Sequence, residues 1–124
     1  MDLLPKTAPG RQIIEAYGDG GFRVNGQRWT QPLIVQPLLC SPWPATDLAS
    51  ASIESLTPLF GTDPAVELLL IGCGPSMLRV PPGLRAALKE RGIMAEGMDT
   101  GAACRTYNVL MLEGRRVAAA LLPV

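Results

Sequence analysis

Two stretches hold the residues whose types and spacing could do chemistry. The first is Gly72-Cys73-Gly74-Pro75-Ser76-Met77, directly after the apolar run Ala65 to Ile71. Glycines behind a buried strand let a phosphate or ribose approach the backbone at a helix N-terminus. Such a dinucleotide or methyl-donor site expects an acid about 20 residues further on, and Glu96 stands near that position. Three features oppose it: Pro75 removes an N–H, Met77 stands where a third glycine belongs, and the next helix starts only near Pro82. The loop reads first as a tight turn. The alternative is a small-molecule or nucleotide pocket using Gly72 to Met77 together with Arg105.

The second stretch is Asp99 to Arg116, D-T-G-A-A-C-R-T-Y-N-V-L-M-L-E-G-R-R. Asp99 is a helix cap and Gly114 a helix stop, with Arg115 and Arg116 set near the negative end of the helix dipole. At about 100° per residue, Ala103, Tyr107, Leu110 and Met111 share one face with Cys104 beside them, and that face should pack on a sheet. The other side carries Arg105, Asn108 and Leu112, flanked by Val109. Apolar residues beside Arg and Asn admit two readings. Either Arg105 and Asn108 lock onto carbonyls of a loop such as Gly72 to Ser76, or the face meets a partner or ligand, since interfaces enrich such mixed patches. The candidate binding surface or pocket is thus Gly72, Gly74, Ser76, Asp99, Thr100, Arg105, Thr106, Asn108 and Leu112.

No catalytic set accompanies these residues. The chain has no histidine, so neither Ser76, Thr100 nor any cysteine has an imidazole base in the same chain. Its three cysteines, Cys40, Cys73 and Cys104, lack C-x-x-C spacing, which argues against a zinc site and a disulfide framework. No metal or cofactor is expected, and the reading leans away from an enzyme. Eleven Lys and Arg balance eleven Asp and Glu, so the basic footprint of a nucleic-acid binder is missing. The start, Met1-Asp2-Leu3-Leu4-Pro5, lacks signal-peptide and transit-peptide features. The longest apolar runs, such as Val117 to Leu122, are far short of the roughly 20 residues that span a bilayer. A cytoplasmic protein is expected, touching membranes only indirectly through a partner.

The elements that must position these residues follow in order. Residues 1–11, with Pro5, Pro9 and Gly10, read as a tail, and 12–124 as a single α/β domain. Ile13, Ile14 and Tyr17 suggest a strand broken at Gly18 to Gly21. Phe22 to Thr30 is a hairpin, because Asn25-Gly26 tolerates the positive φ of a two-residue turn. Leu33 to Val35 continues that sheet, and residues 37–47 form a stiff loop in which Trp43 covers one end of the core. Ser52 caps a short helix from Ile53 to Phe60. Then come a doubly buried strand (Ala65 to Ile71), a helix from Pro82 to Gly92, a strand at Ile93 to Glu96, the Asp99 helix and a final strand, Arg116 to Leu122. The expectation is an N-terminal β-meander appended to a β-α-β-α-β sheet covered by helices.

The runs L-L-L-I-G-C-G-P and M-D-T-G-A-A-C-R-T-Y-N-V-L-M-L-E-G-R-R-V-A-A-A-L-L-P resemble the small α/β family that includes mitochondrial complex I assembly factor 3. That family also has many prokaryotic members of undefined function. The likeness spans about Ile13 to Val124 and is most specific from Asp99 to Pro123. Asp99, Thr100, Ala103, Arg105, Thr106, Asn108, Gly114 and Arg115 match its motif. The resemblance implies a single three-layer domain with a mixed central sheet, no catalytic residues and no cofactor. It implies a protein-binding, assembly-factor-like role with an unidentified protein partner, and leaves self-association as a homo-oligomer open. Lacking a targeting extension, the chain looks prokaryotic.

Overall fold

The computed structural model describes residues 11–124. Three strands open it: β1 (Ile14–Gly18), β2 (Gly21–Val24) and β3 (Gln27–Trp29) form an antiparallel meander. At the β2–β3 turn Asn25 and Gly26 have φ of 48° and 80°, the left-handed pair that a two-residue hairpin needs. The second sheet holds β4 (Leu33–Val35), β5 (Cys40–Pro42), β6 (Leu68–Gly72), β7 (Met94–Met98) and β8 (Val117–Leu121), in the order β5-β4-β8-β6-β7. β6 pairs in parallel with β7 and β8, whereas β4 pairs antiparallel with β5 and β8, so the sheet is mixed.

Two expectations are corrected here. Leu33 to Val35 does not continue the meander; it leaves that sheet and pairs with Ala119 to Leu121 of β8. The stiff loop around Trp43 also contains a strand, β5, at the edge of the main sheet. The tail expected over 1–11 lies, apart from Arg11, outside the described residues.

Helix α1 (Pro82–Glu90) links β6 to β7, and α2 (Thr100–Leu112) links β7 to β8. Chain direction across the sheet reverses between these crossovers, and right-handed connections then place the helices on opposite faces. The core divides accordingly. On one face Leu69, Ile71, Ala118 and Ala120 pack against Leu84 and Leu88 of α1, Leu56 of a short 3-10 helix (Ile53–Leu59), and Trp43. On the other, Leu70, Val117, Ala119 and Leu121 meet Ala103, Tyr107 and Met111 of α2, with Phe22 and Val24 of the meander. β8 explains this economy: it is V-A-A-A-L and buried at every position, small enough to let layers close from both sides. Trp43 caps the α1 side, donating from Nε1 to Ser55 Oγ at 2.9 Å, which satisfies its one polar atom. The edge of β7 is blunted, since Arg85 donates to the Ala95 carbonyl at 2.8 Å.

Candidate functional site

The loop after β6 is a junction of four elements. Cys73 N–H donates to Met98 O at 2.8 Å, joining the loop to the end of β7. Thr100, at the start of α2 and wholly buried, accepts from Gly74 N–H at 2.9 Å and donates its hydroxyl proton to Leu122 O at 2.7 Å. Its own N–H donates to Gly74 O at 2.9 Å, and Leu122 N–H donates to Gly72 O at 3.0 Å. In doubly wound sheets the crevice at the strand ends, where the order reverses, is the usual ligand site. Here the Thr100 hydroxyl bridges the ends of β6 and β8.

The glycines serve this closure. A Cβ on Gly72 would lie 2.9 Å from Leu121 Cδ2 and 3.0 Å from Thr100 Oγ1, and Gly74 sits at φ 99°, where other residues are strained. With Cys73 and Gly74 N–H bonded internally and no N–H on Pro75, the loop presents few donors for a phosphate. Ser76 and Met77 are exposed beyond it.

Asp99 is the N-cap of α2, accepting from Ala102 N–H at 2.9 Å, which occupies the carboxylate structurally. Along α2, Arg105 and Asn108 do not bond to the Gly72 loop, contrary to the lock considered from sequence. Both reach β1. Asn108 accepts from Ile14 N–H at 2.9 Å and donates to Ile14 O at 2.7 Å, acting as one extra rung of the strand. Arg105 donates from Nη1 to the Tyr17 hydroxyl. Tyr107 donates to Gln12 O at 2.8 Å. The meander is therefore held to α2 by three side chains of one helix, Arg105, Tyr107 and Asn108.

Tyr17 is the surface residue that sequence reasoning left out. Its ring covers Gly101, where a Cβ would stand 2.8 Å from the Tyr17 hydroxyl oxygen, and it remains 40% exposed. Gly101 was the available signal, because glycine in a helix's first turn marks a close approach. On the outward side of α2, Arg105 and Val109 are exposed and Leu112 is half-buried. Spacings of four and three residues place this trio on one face, and Tyr17 extends it through its bond to Arg105. Thr106 is half-buried and lies off this stripe.

The stripe offers a phenol, a guanidinium and two aliphatic side chains at the surface. Among the described residues no group of three or more His, Cys, Asp and Glu side chains could hold a metal ion. All three cysteines are free thiols. Burial pushes Cys104 up to about 12 and Cys40 up to about 11, from an ordinary 9.0, so near neutral pH both hold their protons and are poor nucleophiles. Burial also raises the Tyr107 phenol.

The sign of the linked pH effect follows. Below about pH 9 folded and unfolded chains both keep these thiol protons. Above it the unfolded chain releases protons that the folded chain retains, so stability falls as pH rises toward the folded values. Urea midpoints should therefore drop between about pH 8 and about pH 10, and Cys40→Ala with Cys104→Ala should flatten that drop. An unchanged slope in the double variant would assign the effect elsewhere.

Comparison with known proteins agrees with this architecture. The family model described as "Protein of unknown function (DUF498/DUF598)" matches residues 14–122. The chain belongs to this DUF498/DUF598 family. Within it, an uncharacterized protein of Rhodobacter capsulatus is 41% identical over 111 residues, covering 90% of this chain and 84% of that protein. NADH dehydrogenase [ubiquinone] 1 alpha subcomplex assembly factor 3 of Bos taurus is 33% identical over 123 residues, covering 99% of this chain and 67% of that protein. Among solved structures, a Mth938-like domain from Bordetella pertussis superposes with a TM-score of 0.82 at 32% identity, covering 99% of this chain and 92% of that one. The DUF498/DUF598 match takes in β1 and both strands of the hairpin, so the meander belongs to the family's unit along with the mixed sheet.

Proposed function

We propose that this chain, as a single domain over 12–124, is a non-catalytic protein-binding module in the assembly of a membrane-bound NADH dehydrogenase. One observation carries the reading: 33% identity along 99% of the chain to an NADH dehydrogenase assembly factor. The stripe Tyr17–Arg105–Val109–Leu112 is the surface assigned to the partner. Tyr and Arg are the residues that anchor interfaces most often, and Val109, 56% exposed, supplies apolar area between them. No helix among the described residues is long and apolar enough to cross a membrane. As part of this proposal, the module works from the cytoplasmic side and reaches the bilayer through its partner. The alternative ligand in the Gly72–Met77 loop draws no support from a junction whose Cys73 and Gly74 N–H groups are already bonded.

The tagged chain, expressed in the cells that produce it, should recover NADH dehydrogenase subunits, and its deletion should lower assembled enzyme on native gels. Val109→Asp should cut recovery at least tenfold while circular dichroism and thermal midpoint stay within error, as about 1.4 kcal/mol of contact free energy corresponds to tenfold. Normal assembly in the deletion strain would sink the assembly role. Undiminished recovery with Val109→Asp would sink the surface.

A further inference from the structure

We propose that a second site, at the opposite end of the sheet from Thr100, binds a small amphiphilic monocarboxylate. There a cleft of about 300 Å³ opens between the β4–β5 turn, residues 62–66 and the α2–β8 turn. Its apolar surface comes from Pro37, Leu38, Leu39, Pro64, Val66 and Val117. Arg11, Arg115 and Arg116 stand around it, with Asp63 as the acid among the lining residues.

Three features point to a ligand of this chemistry. Leu38 and Leu39 are 66% and 53% exposed at a turn, whereas turn geometry favours Gly, Pro, Asn and Asp and asks for no leucine. These two side chains extend the apolar wall of the cleft into solvent. Next, the guanidinium charges are unequally committed. Arg116 is paired with Glu67 at 2.7 Å, while the Arg11 and Arg115 side chains have no hydrogen-bond or ion-pair partner among the described residues. A free guanidinium beside an apolar cleft matches a carboxylate joined to a hydrocarbon group, since arginine presents a planar fork to carboxylates. Finally, size and charge narrow the class. A volume near 300 Å³ is the lower end for ligand pockets, too small for a dinucleotide, and Asp63 on the rim opposes a dianionic head group.

The site is independent of the partner surface on α2 and of the assembly role. Octanoate is the probe, titrated into the ¹⁵N-labelled full chain. Amide shifts should saturate at Leu38, Leu39, Gly114 and Val117, with a dissociation constant below about 1 mM. Octanol should bind about tenfold more weakly, and Arg115→Ala should weaken octanoate about tenfold while leaving octanol unchanged, because only a charge-assisted bond has been lost. Octylammonium should not shift these amides. Leu38→Ser is the companion variant and should weaken octanoate and octanol alike. Equal affinity for octanoate and octanol would overturn the carboxylate assignment. No shift at these amides, or shifts only with a leucine-ended peptide whose carboxyl is free, would overturn the small-molecule site.

Discussion

Thr100→Val should lower the unfolding free energy by about 3 kcal/mol, the largest loss expected from an isosteric change in this chain. Valine keeps the shape of threonine and puts a methyl where the hydroxyl stood. That hydroxyl accepts from Gly74 N–H and donates to Leu122 O in a wholly buried position. Both partners then stay buried without a bond, at about 1–3 kcal/mol each, and the added methyl recovers little of it because the cavity is unchanged. Thr100→Ser, which keeps the hydroxyl, should cost only about 1 kcal/mol for the missing methyl. Urea unfolding followed by circular dichroism measures both. If valine and serine cost the same, the bridge between the β6 loop and the end of β8 contributes nothing beyond packing.

Asn108→Ala should cost about 2 kcal/mol by releasing both Ile14 groups, and its effect should be local. Asn108 supplies β1 with a donor and an acceptor at once. The main sheet does not pair with β1, whose one ladder partner among the described residues is β2. Amide exchange should therefore speed up across β1 and β2 while β6, β7 and β8 keep their protection. Asn108→Asp should lose almost as much near neutral pH, because its carboxylate would face the Ile14 carbonyl where the amide donor now stands. Uniform loss of protection across both sheets would show that the meander and the main sheet unfold as one unit.

The sequence exposes the parts whose signals are local. Asn25-Gly26 marks a hairpin whatever surrounds it, and Asp99 with Gly114 delimits α2 by capping chemistry alone. The apolar run ending at Ile71 likewise announces a strand buried on both faces. What stayed hidden is who pairs with whom. Leu33 sits opposite Leu121, and no periodicity in Leu33 to Val35 distinguishes that partner from Trp29, a few residues back. Pro42 and Pro44 made β5 look like a loop, although proline is tolerated at a sheet edge. Asn108 was legible as a polar residue on the outer side of α2, yet its partner is 94 positions away. Tyr17 shows the same limit: only the pairing of Gly101 with an aromatic ring turns it into part of a surface.

The place of β8 in the sheet has a consequence for synthesis. β8 is made after the other four strands of the sheet but lies in the middle of the five, between β4 on one side and β6 on the other. Until it is made, β4 with β5 and β6 with β7 are two ribbons with no strand to join them, each showing an open edge. The sheet can therefore close only once β8, made after the other four strands, has been added. Before then Leu33 to Val35 and Leu68 to Ile71 are each unpaired on one side, and unpaired strand edges are open to wrong pairing.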